Sequence, residues 1–277
     1  ATVFDHFCGG VNENDCLSVV DKMFTKGVSS VLDYSVEGKE EETQFDAALA
    51  MTLKTIEFAK ERQAIPFAVF KPTGLGRLDL YEKVGSKVAL SASEQEEWDR
   101  VVDRFDLVCK TAHYKDVALL IDAEESWMQD AADDLVTQMM QKYNKDKAVV
   151  FNTLQMYRWD RLDYLKQLHE QAKKDGFFIG MKLVRGAYME KENARAEQKG
   201  YPTPICSSKE ATDINYDAAV LYMLDHIESM AIFAGTHNEL SSYTLMHLME
   251  ERGIKNNDER IWFGQLYGMS DNISYNL

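Results

Sequence analysis

Cysteine and proline are both scarce in this chain, and neither is arranged in a way that organises a fold. The four cysteines, Cys8, Cys16, Cys109 and Cys206, are scattered without a C-x-x-C pair, so metal-site spacing is absent and a disulfide framework is not expected. Only four prolines occur among 277 residues, and no linker rich in Pro, Gly or Ser divides the chain. We therefore expect one globular domain over residues 1–277, in a reducing compartment.

Basic charge and long apolar runs are lacking as well. The chain has 31 Lys and Arg against 46 Asp and Glu, a net charge of −15. Without a basic stripe to offset that charge, nucleic acid is excluded as a main partner. No run of 18 apolar residues occurs, so the sequence predicts no membrane-spanning helix.

What the chain does contain is a series of seven apolar, β-branched segments. They cover residues 28–36, 66–75, 117–124, 148–156, 179–188, 230–238 and 260–269. Helical patterns alternate with them, near residues 15–26, 41–62, 125–143, 158–174, 209–228 and 239–252, with a further helix opened by a capping box of Ser93 and Glu96. This alternation predicts an α/β fold, a (βα)8 barrel of the TIM type with about seven of its eight βα units present.

Polar and charged residues end most of these strands, where such barrels build their active sites. Lys71 could be a cation for a carboxylate or phosphate, a Schiff-base nucleophile, or a surface lysine. Asp122 and Glu124 should point to one side by strand alternation. They could form a metal pair, an acid/base pair, or an acceptor that fixes a neighbouring donor.

The fifth segment places two cations on a strand that is otherwise apolar. Alternation puts Lys182 with Val184 on one face and Leu183 with Arg185 on the other. Two buried cations are costly unless an anion meets them, so we expect an anionic ligand here. Gly186 and Ala187 follow and leave room for a ligand to approach the backbone.

The remaining strand ends offer hydrogen-bonding groups beside aromatic rings. Gln155 with Tyr157 suits a planar heterocycle, since an amide both donates and accepts in the ring plane. Thr236, His237 and Asn238 suggest a polar clamp for phosphate or adenine. Residues 190–204 form a long polar segment, either a lid over the site or a solvated, partly helical excursion.

Five of these motifs occur together in one order along the chain. They are FK at 70–71, IDAEE at 121–125, LVRGAY at 183–188, THN at 236–238 and QLYGM at 265–269. In this order and from about residue 28 to the C-terminus, the chain resembles the proline dehydrogenase family, of the monofunctional type. The resemblance implies a distorted (βα)8 barrel that holds FAD and oxidises L-proline to Δ1-pyrroline-5-carboxylate.

The resemblance also implies roles for individual residues. Four would form the catalytic and substrate-binding set: Lys71 pairing with the proline carboxylate, Asp122 anchoring a pocket hydrogen bond, and Tyr188 and Leu266 packing around the proline ring. Eight would hold the cofactor: Gln155 and Lys182 at the isoalloxazine edge, Arg185, Gly186 and Ala187 along the ribityl-pyrophosphate, and Thr236, His237 and Asn238 at the pyrophosphate and adenosine. No metal is expected.

The same resemblance sets expectations about the surroundings of the reaction. Hydride would pass from proline C5 to flavin N5, and the electrons would go on to a quinone, with peripheral membrane contact. The expected location is the bacterial cytoplasm at the inner membrane, or alternatively the mitochondrial matrix and inner membrane. Family members end in an eighth strand and a helix that carries an arginine pair. We expect both of these elements to be absent from residues 1–277.

Three other interpretations stay open from the sequence. One is a different FAD barrel, related to methylenetetrahydrofolate reductase. A second is a catalytically silent domain that binds flavin or an amino acid. The third is a metal-dependent, aldolase-type barrel that uses Asp122 and Glu124 as ligands.

Overall fold

The computed structural model describes residues 9, 10, 12–33 and 38–277. Within them the main sheet has six strands. They are β1 Phe67–Phe70, β2 Ala118–Ile121, β3 Val150–Gln155, β4 Ile179–Val184, β5 Met230–Gly235 and β6 Ile261–Gly264. All neighbours are parallel and follow chain order. Val31 pairs in parallel with Phe67, which places the first predicted segment at the β1 edge, although its residues 34–36 lie outside the described residues.

Helices cover the outside of the sheet and account for the rest of the architecture. They are α1 Glu13–Phe24, α2 Glu42–Lys60, α3 Leu78–Gly85, α4 Ala92–Lys115, α5 Ser126–Tyr143, α6 Arg161–Asp175, α7 Met189–Lys199, α8 Lys209–Asp225, α9 Glu239–Glu251 and α10 Asp271–Ser274, with 3-10 turns at Pro72–Gly74 and Ile227–Ser229. The predicted α/β barrel architecture is therefore confirmed. Within the same described part, no helix is both long and apolar enough to cross a membrane.

The capping box of α4 is a correction to the sequence analysis. The predicted pair, Ser93 and Glu96, lies inside the helix. Instead, the Ser91 hydroxyl accepts from the Glu94 N–H at 3.3 Å, and the Ser91 N–H donates to the Glu94 carboxylate at 2.9 Å. The spacing is the same, but the helix begins two residues earlier than predicted.

The inner face of the sheet is filled near its amino-terminal end by aromatic rings. Phe67 stands at the centre, and its ring meets Phe151, Phe233 and Trp262 edge-on, with centroids 5.7, 5.2 and 5.1 Å away. Edge-to-face contacts of this kind are favourable beyond their buried area. This layer provides an apolar, aromatic wall on the inner face of the sheet, and polar groups follow it at the carboxyl ends of the strands.

Two glycines make room for those rings. Gly180 pairs with Phe151 across β3 and β4, and a Cβ there would lie 2.7 Å from the Phe151 ring. Gly264 on β6 pairs with Gly235, two residues after Phe233, and a Cβ there would lie 2.3 Å from ring carbon Cε1 of Phe233. A larger residue at either position would force the ring out of the layer.

We predict that Gly264→Ala destabilises the protein by about 1–3 kcal/mol, the usual cost of overpacking a filled core. Urea unfolding measures this loss. Phe233→Leu removes the ring atoms that the new methyl group would meet. The double variant should therefore lose less stability than the sum of the two single variants. Strict additivity would contradict the steric explanation.

Candidate functional site at the carboxyl ends of the strands

One cavity of about 2800 Å³ occupies the inside of the curved sheet and extends over the carboxyl ends of its strands. All twelve residues to which the family resemblance assigned a role line it: Lys71, Asp122, Gln155, Lys182, Arg185, Gly186, Ala187, Tyr188, Thr236, His237, Asn238 and Leu266. The fold thus brings together residues that lie up to 195 positions apart in the chain, from Lys71 to Leu266. Their individual roles stay predictions.

The centre of the site is one carboxylate shared by two lysines. Lys71 continues the inward-facing series of β1, and Asp122 follows β2, whose Ile121 pairs with Phe70. Register therefore sets Lys71 beside Asp122. The Lys71 Nζ lies 3.2 Å from Asp122 Oδ2, and the Lys182 Nζ lies 2.7 Å from Oδ1. Each oxygen of the Asp122 carboxylate has one ammonium partner, and Asp33, which lines the same cavity, also acts on Lys71 electrostatically.

This pairing fixes the charge state of the cluster. Burial alone would raise the pKa of Asp122, but the two lysines outweigh it and hold that pKa below its ordinary value. Burial would also lower the pKa of Lys71, and the Asp122 carboxylate outweighs it and raises that pKa instead. Both groups are therefore ionised at neutral pH, and Lys71 cannot act as a neutral amine nucleophile in this state.

Glu124 lies apart from Asp122, which corrects the prediction that the two carboxylates converge. The strand ends at Ile121, so alternation no longer directs Glu124. It turns toward Thr73, whose N–H donates at 2.8 Å and whose hydroxyl donates at 2.5 Å. Glu124 is not among the residues that line the cavity. Across the described residues, no three His, Cys, Asp or Glu side chains are grouped closely enough to hold a metal ion.

Arg185 has several protein partners, which the sequence analysis missed. Its guanidinium donates to Asp213 at 2.7 Å, to Thr236 at 2.6 Å and to Ser241 at 3.0 Å. It also lies over the Tyr216 ring, 4.4 Å from its centroid. The two cations on β4 and its end are thus compensated by protein carboxylates. No local pattern marks Asp213 as a partner, because it lies in α8, 28 residues away.

Tyr157 is a second correction. Its ring does not join Gln155 at the cavity but packs beneath Gly186, where a Cβ would lie 2.4 Å from the ring. Gly186 also has φ of 134°, which L side chains rarely adopt. The glycine is therefore required by a protein ring as well as by backbone geometry. Gln155 is buried, and its amide donates to the Ala123 carbonyl at 3.4 Å.

The Thr-His-Asn motif joins the ends of β5 and β6. Asn238 caps α9 by accepting from the Ser241 N–H at 3.1 Å, and the Thr236 hydroxyl accepts from the Asn238 N–H at 3.0 Å. His237 Nε2 accepts from the Leu266 N–H at 3.4 Å, and Nδ1 lies 3.1 Å from the Ser270 hydroxyl. Burial lowers the pKa of His237, so a neutral ring that donates through Nδ1 fits both contacts.

A barrel whose strand ends gather cations, amides and hydroxyls around one cavity is the architecture of an α/β-barrel enzyme. The sequence model of one family, proline dehydrogenase, matches residues 16–277. The chain belongs to the proline dehydrogenase family. This membership gives no support to the reductase-like alternative.

Curated relatives agree with this assignment. The chain is 36% identical to the carbapenem antibiotics biosynthesis protein CarD of Pectobacterium carotovorum subsp. carotovorum, over 98% of this chain and 70% of that protein. It is 37% identical to mitochondrial proline dehydrogenase 1 of Homo sapiens, over 66% of this chain and 31% of that protein. This chain therefore matches about a third of the length of the human relative, and its relatives include bacterial and mitochondrial proteins.

Solved structures share the fold at lower identity. The structure of proline utilization A from Bdellovibrio bacteriovorus, inactivated by N-propargylglycine, superposes with a TM-score of 0.83 at 21% identity, covering 98% of this chain and 29% of that one. Proline utilization A from Corynebacterium freiburgense gives a TM-score of 0.76 at 19% identity, covering 94% and 26%. These likenesses confirm the distorted barrel.

Glu124 generates a prediction about stability and pH. Burial raises its pKa to about 7 from an ordinary 4.5, despite the opposing hydrogen bonds from Thr73. Between these values the folded protein binds a proton that the unfolded chain has released. The stabilisation by protonated Glu124 is therefore complete below pH 4.5 and is lost as pH rises through 7. Glu124→Gln should remove this loss, since an amide does not titrate.

The measurement is urea unfolding at pH 5 and pH 8.5. The free energy of unfolding of Glu124→Gln, relative to the unchanged protein, should rise by roughly 1–3 kcal/mol between the two pH values. Glu190→Gln, an exposed change of the same kind, should show no such difference. Parallel pH curves for Glu124→Gln and the unchanged protein would contradict the raised pKa.

Proposed function

We propose that this protein is a flavoenzyme that oxidises L-proline to Δ1-pyrroline-5-carboxylate, with FAD as its cofactor. Family membership supports the reaction class. The observation that carries the proposal is the cluster in which Asp122 is shared by Lys71 and Lys182. Asp122 holds both ammonium groups at the cavity wall, so charged donors are in place where an amino-acid carboxylate would bind.

Lys71 is the residue we propose for that carboxylate. Its ammonium stays protonated because Asp122 raises its pKa, so its charge is constant over the working range of the enzyme. A charge-assisted hydrogen bond from lysine to a carboxylate is short and strong in a partly buried site. Tyr188 and Leu266 line the same cavity, and we propose that they pack against the apolar side of the proline ring.

The residues present fit FAD as the second occupant. Lys182 and Arg185 provide cations, Gln155 provides a buried amide, and the exposed backbone at Gly186 and Ala187 lets an extended ligand approach. Thr236, His237 and Asn238 complete the set beside the start of α9, where an anionic group is favoured. When bound, FAD would accept a hydride at N5 from proline C5.

The protein's own contribution would be position and charge. Lys71 would orient proline by its carboxylate, while Lys182, held by Asp122, would favour negative charge on the cofactor ring. The proline nitrogen must lose its proton before or during oxidation, and we propose that solvent takes it. We further propose that electrons pass to a quinone, with peripheral contact at the bacterial inner membrane or in mitochondria, and that residues 1–277 act as a single domain.

The first test is an absorption spectrum of the purified protein, before and after anaerobic addition of L-proline. We expect a flavin spectrum that bleaches with proline. Added D-proline serves as the matched control for nonspecific reduction. Bound flavin that stays oxidised would favour a silent flavin-binding domain, and a protein that binds no FAD when it is supplied would overturn the proposal.

A second test distinguishes the proposed role of Lys71 in binding proline from that of Lys182 in binding FAD. Lys71→Met should raise the KM for proline by roughly 10- to 100-fold, since a charged hydrogen bond contributes about 1.5–3 kcal/mol, and should leave bound FAD in place. Asp122 keeps Lys182 as a partner in this variant. Lys182→Met should instead lower FAD content or kcat. Steady-state kinetics and flavin absorbance measure both effects.

Lys174→Met, on the exposed surface of α6, controls for the loss of a lysine charge. It should match the unchanged protein in both KM and FAD content. Equal KM values in Lys71→Met and Lys174→Met would remove Lys71 from the substrate site.

A further inference from the structure

Helix α7, which follows the LVRGAY motif, is anchored by a fully buried carboxylate that the proposed reaction does not use. Glu192 is 0% exposed. One of its oxygens accepts from the Ser126 N–H at 2.6 Å, and the other accepts from the Ser126 hydroxyl at 2.5 Å. Residues 190–204, predicted to be either a lid or a solvated excursion, thus begin as a helix that is tied to the body of the protein.

The contact between Glu192 and Ser126 caps the amino-terminal end of helix α5. Ser126 is the first residue of α5, and the N-cap residue, Glu125, makes no side-chain capping hydrogen bond. The first N–H groups of a helix have no partner inside it, and a negative charge near them is favourable. Glu192 therefore performs for α5 the role that a local N-cap residue usually performs, from a helix 66 residues further along the chain.

Both residues of this contact lie close in the chain to residues of the candidate site. Ser126 lies four residues after Asp122 along an extended segment without helix or strand. On the other side, the Glu192 N–H donates to the Tyr188 carbonyl at 2.8 Å, so Glu192 lies one helical turn from Tyr188. The Tyr188 phenol in turn interacts electrostatically with the Lys71 ammonium. The buried Glu192 carboxylate therefore connects the segment after β2 with the segment after β4.

The neighbouring contacts of α7 are more exposed and so weaker. Lys191 pairs with Glu125, and Arg195 pairs with Glu82 of α3. Arg195 also lies over the Trp127 ring, 4.2 Å from its centroid. Surface ion pairs contribute little, so the position of α7 depends mainly on Glu192. Trp127, next to Ser126 in the chain, provides a spectroscopic reporter of that position.

We infer that Glu192 is a positioning residue: by capping α5 from α7 it fixes Tyr188 relative to Lys71 and Asp122, and it acts on proline only through them. The inference rests on the proposed function for its effect on catalysis. A displacement of about 1 Å in a positioned group reduces turnover or binding on the order of 100-fold, so the loss of this cap should be visible in kinetics.

The test compares Glu192→Ala, which removes both acceptor oxygens, with Glu192→Gln, which keeps one for the Ser126 N–H. We expect Glu192→Ala to raise the KM for proline by roughly 10-fold or more, while the affinity for FAD stays within about twofold, because the Glu192 carboxylate bonds to Ser126, which is not among the residues proposed to hold FAD. Glu192→Gln should recover part of the loss. Glu190→Gln, an equal charge change on the exposed side of α7, should behave as the unchanged protein.

If Glu192→Ala does not fold, Ser126→Ala provides a milder variant, since it removes only the hydroxyl and leaves the N–H contact. It should raise KM by a smaller factor and shift Trp127 fluorescence. An unchanged KM in all Glu192 and Ser126 variants that fold would overturn the inference, as would a parallel loss of FAD affinity, which a general structural role would produce.

A readout independent of activity separates this inference from the proposed function. Amide hydrogen exchange in Glu192→Ala should lose protection together in the first turn of α5 and in α7, whereas Glu190→Gln should lose it in neither. If the unchanged protein does not react with proline, the proposed function fails and the exchange experiment still tests the cap. Exchange that is unaltered in Glu192→Ala would overturn the link between the two helices.

Discussion

A single carboxylate allows two lysines to face the interior of a parallel sheet. Lys71 and Lys182 lie on strand positions where the alternation of β1 and β4 would otherwise place apolar side chains, and unpaired ammonium groups there would be strongly destabilising. Asp122 meets both, at 3.2 and 2.7 Å. The shared carboxylate stabilises both ammonium groups at the cavity wall, where they can also donate to a ligand.

Two other acidic side chains, which do not line the cavity, hold the segments that carry the site residues. Glu124 fixes the turn after Lys71 through Thr73, and Glu192 connects the residues after Asp122 with the helix after Tyr188. These carboxylates are buried and make hydrogen bonds to backbone N–H groups, which gives loops the rigidity that strands have from their ladders. The loops that carry the candidate site residues are thereby held in fixed positions.

The sequence predicted the elements far better than the contacts between them. Apolar periodicity is a local signal, so it located β1 to β6 and most helices, and register then explains why Lys71 meets Asp122. The capping box of α4 shows the limit. Residues 91–96 offer two Ser-x-x-Glu pairs, and the choice of Glu94 accompanies its ion pair with Lys83 on α3, a helix that was not predicted.

Contacts that the sequence analysis missed have the same physical origin. Two protein partners of Arg185, Asp213 and Ser241, lie in later helices and have no spacing signature. Tyr157 was placed beside Gln155 because they are close in sequence, yet it packs against Gly186, which belongs to the next strand end. Long-range partners of this kind depend on how the strand ends converge, which periodicity alone does not specify.

The net charge of the whole molecule bears on substrate choice, because it acts on charged ligands before they reach the cavity. A net charge of −15 repels free anions over distances up to about a Debye length, roughly 8 Å at physiological ionic strength. Proline is a zwitterion with no net charge, so this field does not oppose its approach. Only inside the cavity, beside Lys71, is its carboxylate recognised separately from its amine. The acidic net charge therefore does not oppose the approach of a small zwitterionic amino acid, in keeping with the proposed substrate.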